Sequence, residues 1–371
     1  MISRKLFLRL LAALSVVMIA ALAFSVFSTT AAPTHAAGTS AGSKPQYYYF
    51  HHNFSGTAKS AKANASLASW SSSFTYGGKT YSYSMVGTNP ANGSATSTIP
   101  VTIVPLILTF SNGTSFSGVK KVANTTGSPI FKNAKFLSGT TQYGDAIQRA
   151  EFWKYASTTA TNYHVYMGVP TVHAAVTIKI PAVDGKTVKD TSSGKTIGIV
   201  NVNWFDPTLQ KLLISLKFTP NMLPIFLSDN VYLSSGAPSL GNCCIGGYHN
   251  AVQNSAGLQT YIWSVNADAG VLGNFGEDVS ALSHELAEWL NDPFTNNVVP
   301  NWTSPIAPQY GCNNLLEVGD PLVGVVFTVT GFTQHMQDEA FYSWFARQAP
   351  SIGYKARYTY LGTFSTLSQN C

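Results

Sequence analysis

At 371 residues the chain can bury a sizeable core, in one large domain or two smaller ones. Charged residues reach only 10% and aromatics 12%, which suits a compact extracellular protein and excludes a disordered one. The net charge of +6 falls to +3 without Arg4, Lys5 and Arg9 (19 basic against 16 acidic groups), and no basic cluster interleaves with aromatics, so nucleic-acid binding is not expected.

Those three basic residues precede an apolar run over residues 10–27 and then the small residues of "TTAAPTHAAG". This is the pattern of a secretory signal cleaved after Ala36 or Ala37, and it predicts a secreted protein. No second apolar run of that length follows, so no stable membrane span is expected after signal removal. The expected organisation is a signal at 1–36, a β-rich N-terminal region at 37–217 serving as a support or pro-domain, and a C-terminal region at 218–371.

After a Gly/Ser linker at 38–45, the runs "QYYYFHHNF", "KTYSYSMVG" and "TIPVTIVPLILTF" read as strands separated by the turn-rich "NPANGS" and "SNGTS". A helix is expected at 145–155, strands at 172–180 and 196–202, and a mixed apolar stretch at 209–227. A strand follows at 259–265, then a helix to 291 with Asp278 as its N-cap or first-turn residue and Pro293 after its end, and a last helix at 334–347. Strands mostly precede helices, which predicts an α+β class with a mixed or antiparallel β-rich body and a few helices. The four cysteines suggest two disulfides; a bridge between neighbours is disfavoured, so Cys243 and Cys244 are expected to pair with Cys312 and Cys371.

Charge is distributed unevenly. Between Phe218 and Ala346 there is no lysine or arginine, yet this stretch holds eleven of the sixteen carboxylates. Carboxylates gathered in a fold must be solvated, protonated, paired with basic groups from elsewhere, or neutralised by a cation.

Within this stretch lies "SHELAEWLNDP". Projected at 100° per residue, Val279, Leu282, Leu286, Trp289 and Leu290 form one helix face, with His284 and Glu288 opposite and Glu285 at the flank. Histidine and carboxylate at i, i+4 converge on one ion, and Glu285 takes the place of the general base in HExxH helices. "NLLEVGD" offers a third ligand in Glu317 or Asp320. One histidine with two carboxylates suits zinc and also other divalent metals.

The helix resembles the active helix of zincin metallopeptidases, with Glu288 in place of the second histidine. "HELAEWLNDP", Asn301–Trp302 and "LEVGD", in that order, are also similar to a pattern in secreted proteins of the phosphate-induced, or EXORDIUM-like, family. The resemblance covers about a fifth of the chain. It implies a secreted zinc peptidase-like region acting on an extracellular peptide or protein, with His284 and Glu288 as ligands, Glu317 or Asp320 as the third, and Glu285 as the base. The alternative it implies is a non-catalytic extracellular or cell-surface protein that keeps the helix for structure or calcium. His249 in "CCIGGYHN" is read first as a loop or core residue, and His335 with Asp338 as the first turn of the last helix. No GxSxG or phosphate-binding glycine motif is present.

Overall fold

The computed structural model describes residues 66–308 and 311–371. The signal segment, the Gly/Ser linker and "QYYYFHHNF", with His51 and His52, lie outside them. The elements used below are, in chain order, β1 (Ser69–Tyr76), β2 (Lys79–Val86), β3 (Val101–Phe110), α1 (Tyr143–Glu151), β4 (Val176–Ile180), β5 (Thr196–Asn201), α2 (Val202–Ser215), β6 (Leu223–Asp229), β7 (Val231–Ser234), β8 (Gly247–Asn254), β9 (Gly257–Asn266), α3 (Ser280–Asn291), β10 (Val298–Trp302), β11 (Asn313–Leu315) and α4 (Tyr342–Phe345).

The class is α+β with mixed sheets. A central sheet runs β4-β3-β6-β9-β8; its first four strands are parallel and β8 returns antiparallel to β9. β5 and β7 pair in parallel within a second, smaller sheet, and β1 and β2 form a hairpin. The expected boundary at 217 falls between strands of one sheet, since β3 and β4 precede it and β6, β8 and β9 follow it.

Strand alternation decides what each face of the central sheet meets. Register places Ile103, Ile225, Ile262 and His249 in one lateral row. The three isoleucines share a core with Leu282, Leu286 and Leu290 of α3. The next row, Val104, Phe226, Trp263 and Tyr248, packs with Phe205, Leu209 and Leu213 of α2. The sheet therefore lies between α3 and α2, and His249 is the one polar member of the row on the α3 face. Among the described residues no helix is long and apolar enough to cross a membrane.

Four expectations need correction. The stretch at 209–227 resolves into the end of α2 and the start of β6, and α2 begins where the Asn201 side chain accepts from Asn203 N at 3.1 Å. The last helix shrinks to α4: residues 336–341 run extended because Ala340 and Phe341 bond the carbonyls of Val318 and Tyr358 at 2.8 Å each. Asp278 does not cap α3; it has φ +46° and its carboxylate takes Val279 N and His335 N. Finally, Cys243 is bridged to Cys244 and Cys312 to Cys371. The first pair lies in the edge strand of the smaller sheet and is buried with Tyr232 and Val265, whereas Cys312 and Cys371 are exposed.

α1 carries a fully buried carboxylate, Glu151, which accepts from the Tyr342 amide and from Gln148. Burial pushes its pKa up to about 8, against which the hydrogen bonds from the Tyr342 amide and the Asn291 side chain work only in part. The folded state thus keeps a proton that the unfolded chain has released above about pH 4.5. Stability is full below that value and falls as pH rises through about 8. Urea unfolding of Glu151→Gln is expected to lose part of this fall, which runs at about 1.4 kcal/mol per pH unit for one group. A wild-type slope retained in the variant would assign the fall elsewhere.

Candidate metal centre

α3 is buried all round, from Leu282 to Asn291. Its apolar side meets the sheet and α1. Its polar side meets not water but three other segments, and these bring the centre together.

The first is β8. His249 reaches α3 because it shares the register row of Ile262, and Gly247 lies two residues before it on the same face. A Cβ on Gly247 would stand 2.6 Å from Glu285 Cγ, so only glycine lets the helix come this close. The second is the LEVGD loop. β10 and β11 pair, and the Trp302 indole donates to the Leu315 carbonyl at 2.8 Å, fixing the chain just ahead of Glu317. The amides of Gly319 and Asp320 then donate to Glu288 Oε1 at 3.2 Å each, which clamps the loop on α3. The third is the extended segment at 336–341, where Gln337 donates to the Gly319 carbonyl at 2.8 Å and its side chain also hydrogen-bonds His284.

All five residues singled out in the sequence converge, and His249 joins them. His284 Nε2 lies 3.1 Å from Glu288 Oε1, 3.7 Å from Asp320 Oδ1 and 3.9 Å from Glu285 Oε1. His249 Nδ1 lies 3.4 Å from Glu285 Oε2 and 3.7 Å from Glu288 Oε2, while its Nε2 lies 3.8 Å from Glu317 Oε2. Asp320, not Glu317, is therefore the carboxylate beside His284. Two ligands of a tetrahedral ion, each about 2.1 Å from it, stand about 3.4 Å apart. The observed separations bracket that value, and imidazole nitrogen with carboxylate oxygen is a donor set for divalent metals. These buried groups could hold a metal ion.

Electrostatics point the same way. Of the carboxylates in the lysine-free stretch, Asp229 and Asp268 are paired with Lys121, and Asp268 also with Lys195, from the first half of the chain. The donors beside the two histidines are buried, with Glu285 2% and Glu288 4% exposed. Burial, then Glu317, Asp320 and Glu285, raise Glu288 well above the usual carboxylate range. For His249 burial favours the neutral ring, but Glu317, Glu285 and Glu288 outweigh it and push the pKa up to about 10. Protons are thus retained where a cation would otherwise balance charge.

Two neighbours were not foreseen. Glu339, fully buried, accepts from the Tyr143 hydroxyl at 2.7 Å, acts electrostatically on His284, and has no hydrogen-bond partner at Oε2 among the described residues. Asp292 holds the amides of Asn296 and Asn297, and burial followed by Glu317 raises it to about 7. The pair His335–Asp278 lies 2.7 Å apart in a separate, half-buried cluster with Glu277.

Gly319 packs flat on the His284 ring: an added Cβ would fall 2.5 Å from Nδ1 and 2.7 Å from Cε1. Gly319→Ala should displace the imidazole and weaken divalent-metal affinity by about 10–100-fold. Gly241→Ala, where the nearest atom is 3.8 Å away, should change nothing. Equal affinities in a competition titration would show that the ring position does not matter.

Comparison with known protein families, with curated proteins and with solved structures finds no match.

Proposed function

We propose that the protein is a secreted metal-dependent hydrolase, a zinc peptidase in which His284, Glu288 and Asp320 hold the ion and Glu285 serves as proton acceptor. The carrying observation is the convergence of Glu288 Oε1 of α3 and Asp320 Oδ1 of the LEVGD loop on His284 Nε2, at 3.1 and 3.7 Å. Export is supported by the basic and apolar leader and by the Cys312–Cys371 bridge. A divalent ion held there supplies Lewis acidity toward a water and a substrate carbonyl. Glu285 Oε1 faces the same side as His284 Nε2 and takes up the proton of the attacking water. His249, against Glu285 Oε2, keeps that carboxylate turned inward, and Gly247 leaves room for it.

The test is hydrolysis of a peptide library by the secreted protein, with and without a chelator. Cleavage that disappears on chelation and returns with zinc supports the reading. Absence of cleavage from fully metallated protein refutes it.

One observation favours a second reading, a non-catalytic extracellular protein of EXORDIUM-like type. Asp320, at 6% the most exposed of the three proposed ligands, offers little surface to a large substrate. In that case the ion ties α3 to the LEVGD loop, and the same assay gives metal without cleavage.

A further inference from the structure

The proposed ion at His284 leaves half of the cluster unused. His249 comes from a different element, and its two nitrogens face different surroundings. Nε2 lies 3.1 Å from the carbonyl oxygen of Asp292, an acceptor only, so Nε2 carries a proton. Nδ1 is directed at Glu285 Oε2 and Glu288 Oε2 at 3.4 and 3.7 Å. A backbone carbonyl on the far nitrogen is the usual way a ligating imidazole is oriented.

Glu288 links the two halves. Its Oε1 faces His284 and its Oε2 faces His249. Each side forms a group of three donor atoms lying within 4.8 Å of one another: His284, Glu288 and Asp320 on one side, and His249, Glu285 and Glu288 on the other.

We infer that the centre takes two divalent cations, with Glu288 bridging them and His249 and Glu285 completing the second position. Charge agrees with that count. Four buried carboxylates, Glu285, Glu288, Glu317 and Asp320, surround the two imidazoles, with no lysine or arginine between Phe218 and Ala346, and two divalent ions would neutralise them when ionised. Glu317, 3.8 Å from His249 Nε2, sits beside the second position as an outer partner. The inference rests on the reading given above for the first ion and adds a second.

Titration of metal-stripped full-length secreted protein with Co2+, followed by its visible absorption and by elemental analysis after gel filtration, tests the count. Two equivalents are expected in the wild type, falling to one in His249→Ala and in His249→Gln. An end point of one equivalent in the wild type overturns the second position and leaves the first standing. An end point of zero overturns both. Because the wild-type stoichiometry decides the matter, a variant that fails to fold does not obscure the result.

Discussion

Dialysis against a strong chelator is expected to lower the unfolding temperature of the protein by about 10 °C, with recovery when zinc is returned. A ligand present at about a thousand times its dissociation constant stabilises the folded state by about 4 kcal/mol. In a domain of this size each kcal/mol corresponds to roughly 2–4 °C. The physical source is the group formed by Glu285, Glu288, Glu317 and Asp320, all buried and all without a lysine or arginine from the surrounding stretch. Without a cation, protons are retained here, as on Glu288 and on the His249 ring. Scanning calorimetry before and after chelation measures the shift. Identical curves would mean that no cation contributes to the fold.

Glu285→Gln is expected to reduce peptide hydrolysis by about 10²–10⁴-fold, the range for loss of a positioned general base. The substitution keeps the volume that packs against Gly247 and keeps an oxygen to face His249, but it removes the proton acceptor. His284, Glu288 and Asp320 are untouched, so the ion beside His284 remains and metal analysis of the variant should still find it. Loss of turnover with that ion retained separates proton transfer from metal binding. Unchanged turnover would remove Glu285 from the chemistry and leave it a role in packing or in holding a cation.

The part of the centre carried on α3 could be read from local sequence. Helical periodicity alone aligns His284 with Glu288 and sets both opposite Leu286 and Trp289. Glu317 and Asp320 were both offered by "NLLEVGD", and sequence favoured Glu317 as the third ligand, whereas it is Asp320 that lies beside His284. Their order follows from the Gly319 and Asp320 amides gripping Glu288 Oε1, a tertiary contact. His249 was hidden for a different reason. Alternation in "GGYHNA" puts Gly247, His249 and Ala251 on one face, but only the pairing of His249 with Ile262 says that this face meets α3. The small residues flanking the histidine were the available signal. Glu339 was lost with the last helix, because "HMQDEAFYSWFA" has helical composition while its backbone pairs with Val318 and Tyr358 instead. α2 was signalled by Asn201 as its cap, yet the expected strand at 196–202 ran across that position.

The place of β3 in the central sheet bears on proteolytic processing. β3 lies between β4 and β6, with Ile103 beside Ile225 and Val104 beside Phe226. A fragment starting at residue 218 would therefore leave β6 with an open, almost wholly apolar edge, Leu223 to Leu227, able to recruit strands from other molecules. β3 thus covers the β6 edge, and the strands before and after residue 217 form one sheet beside the centre.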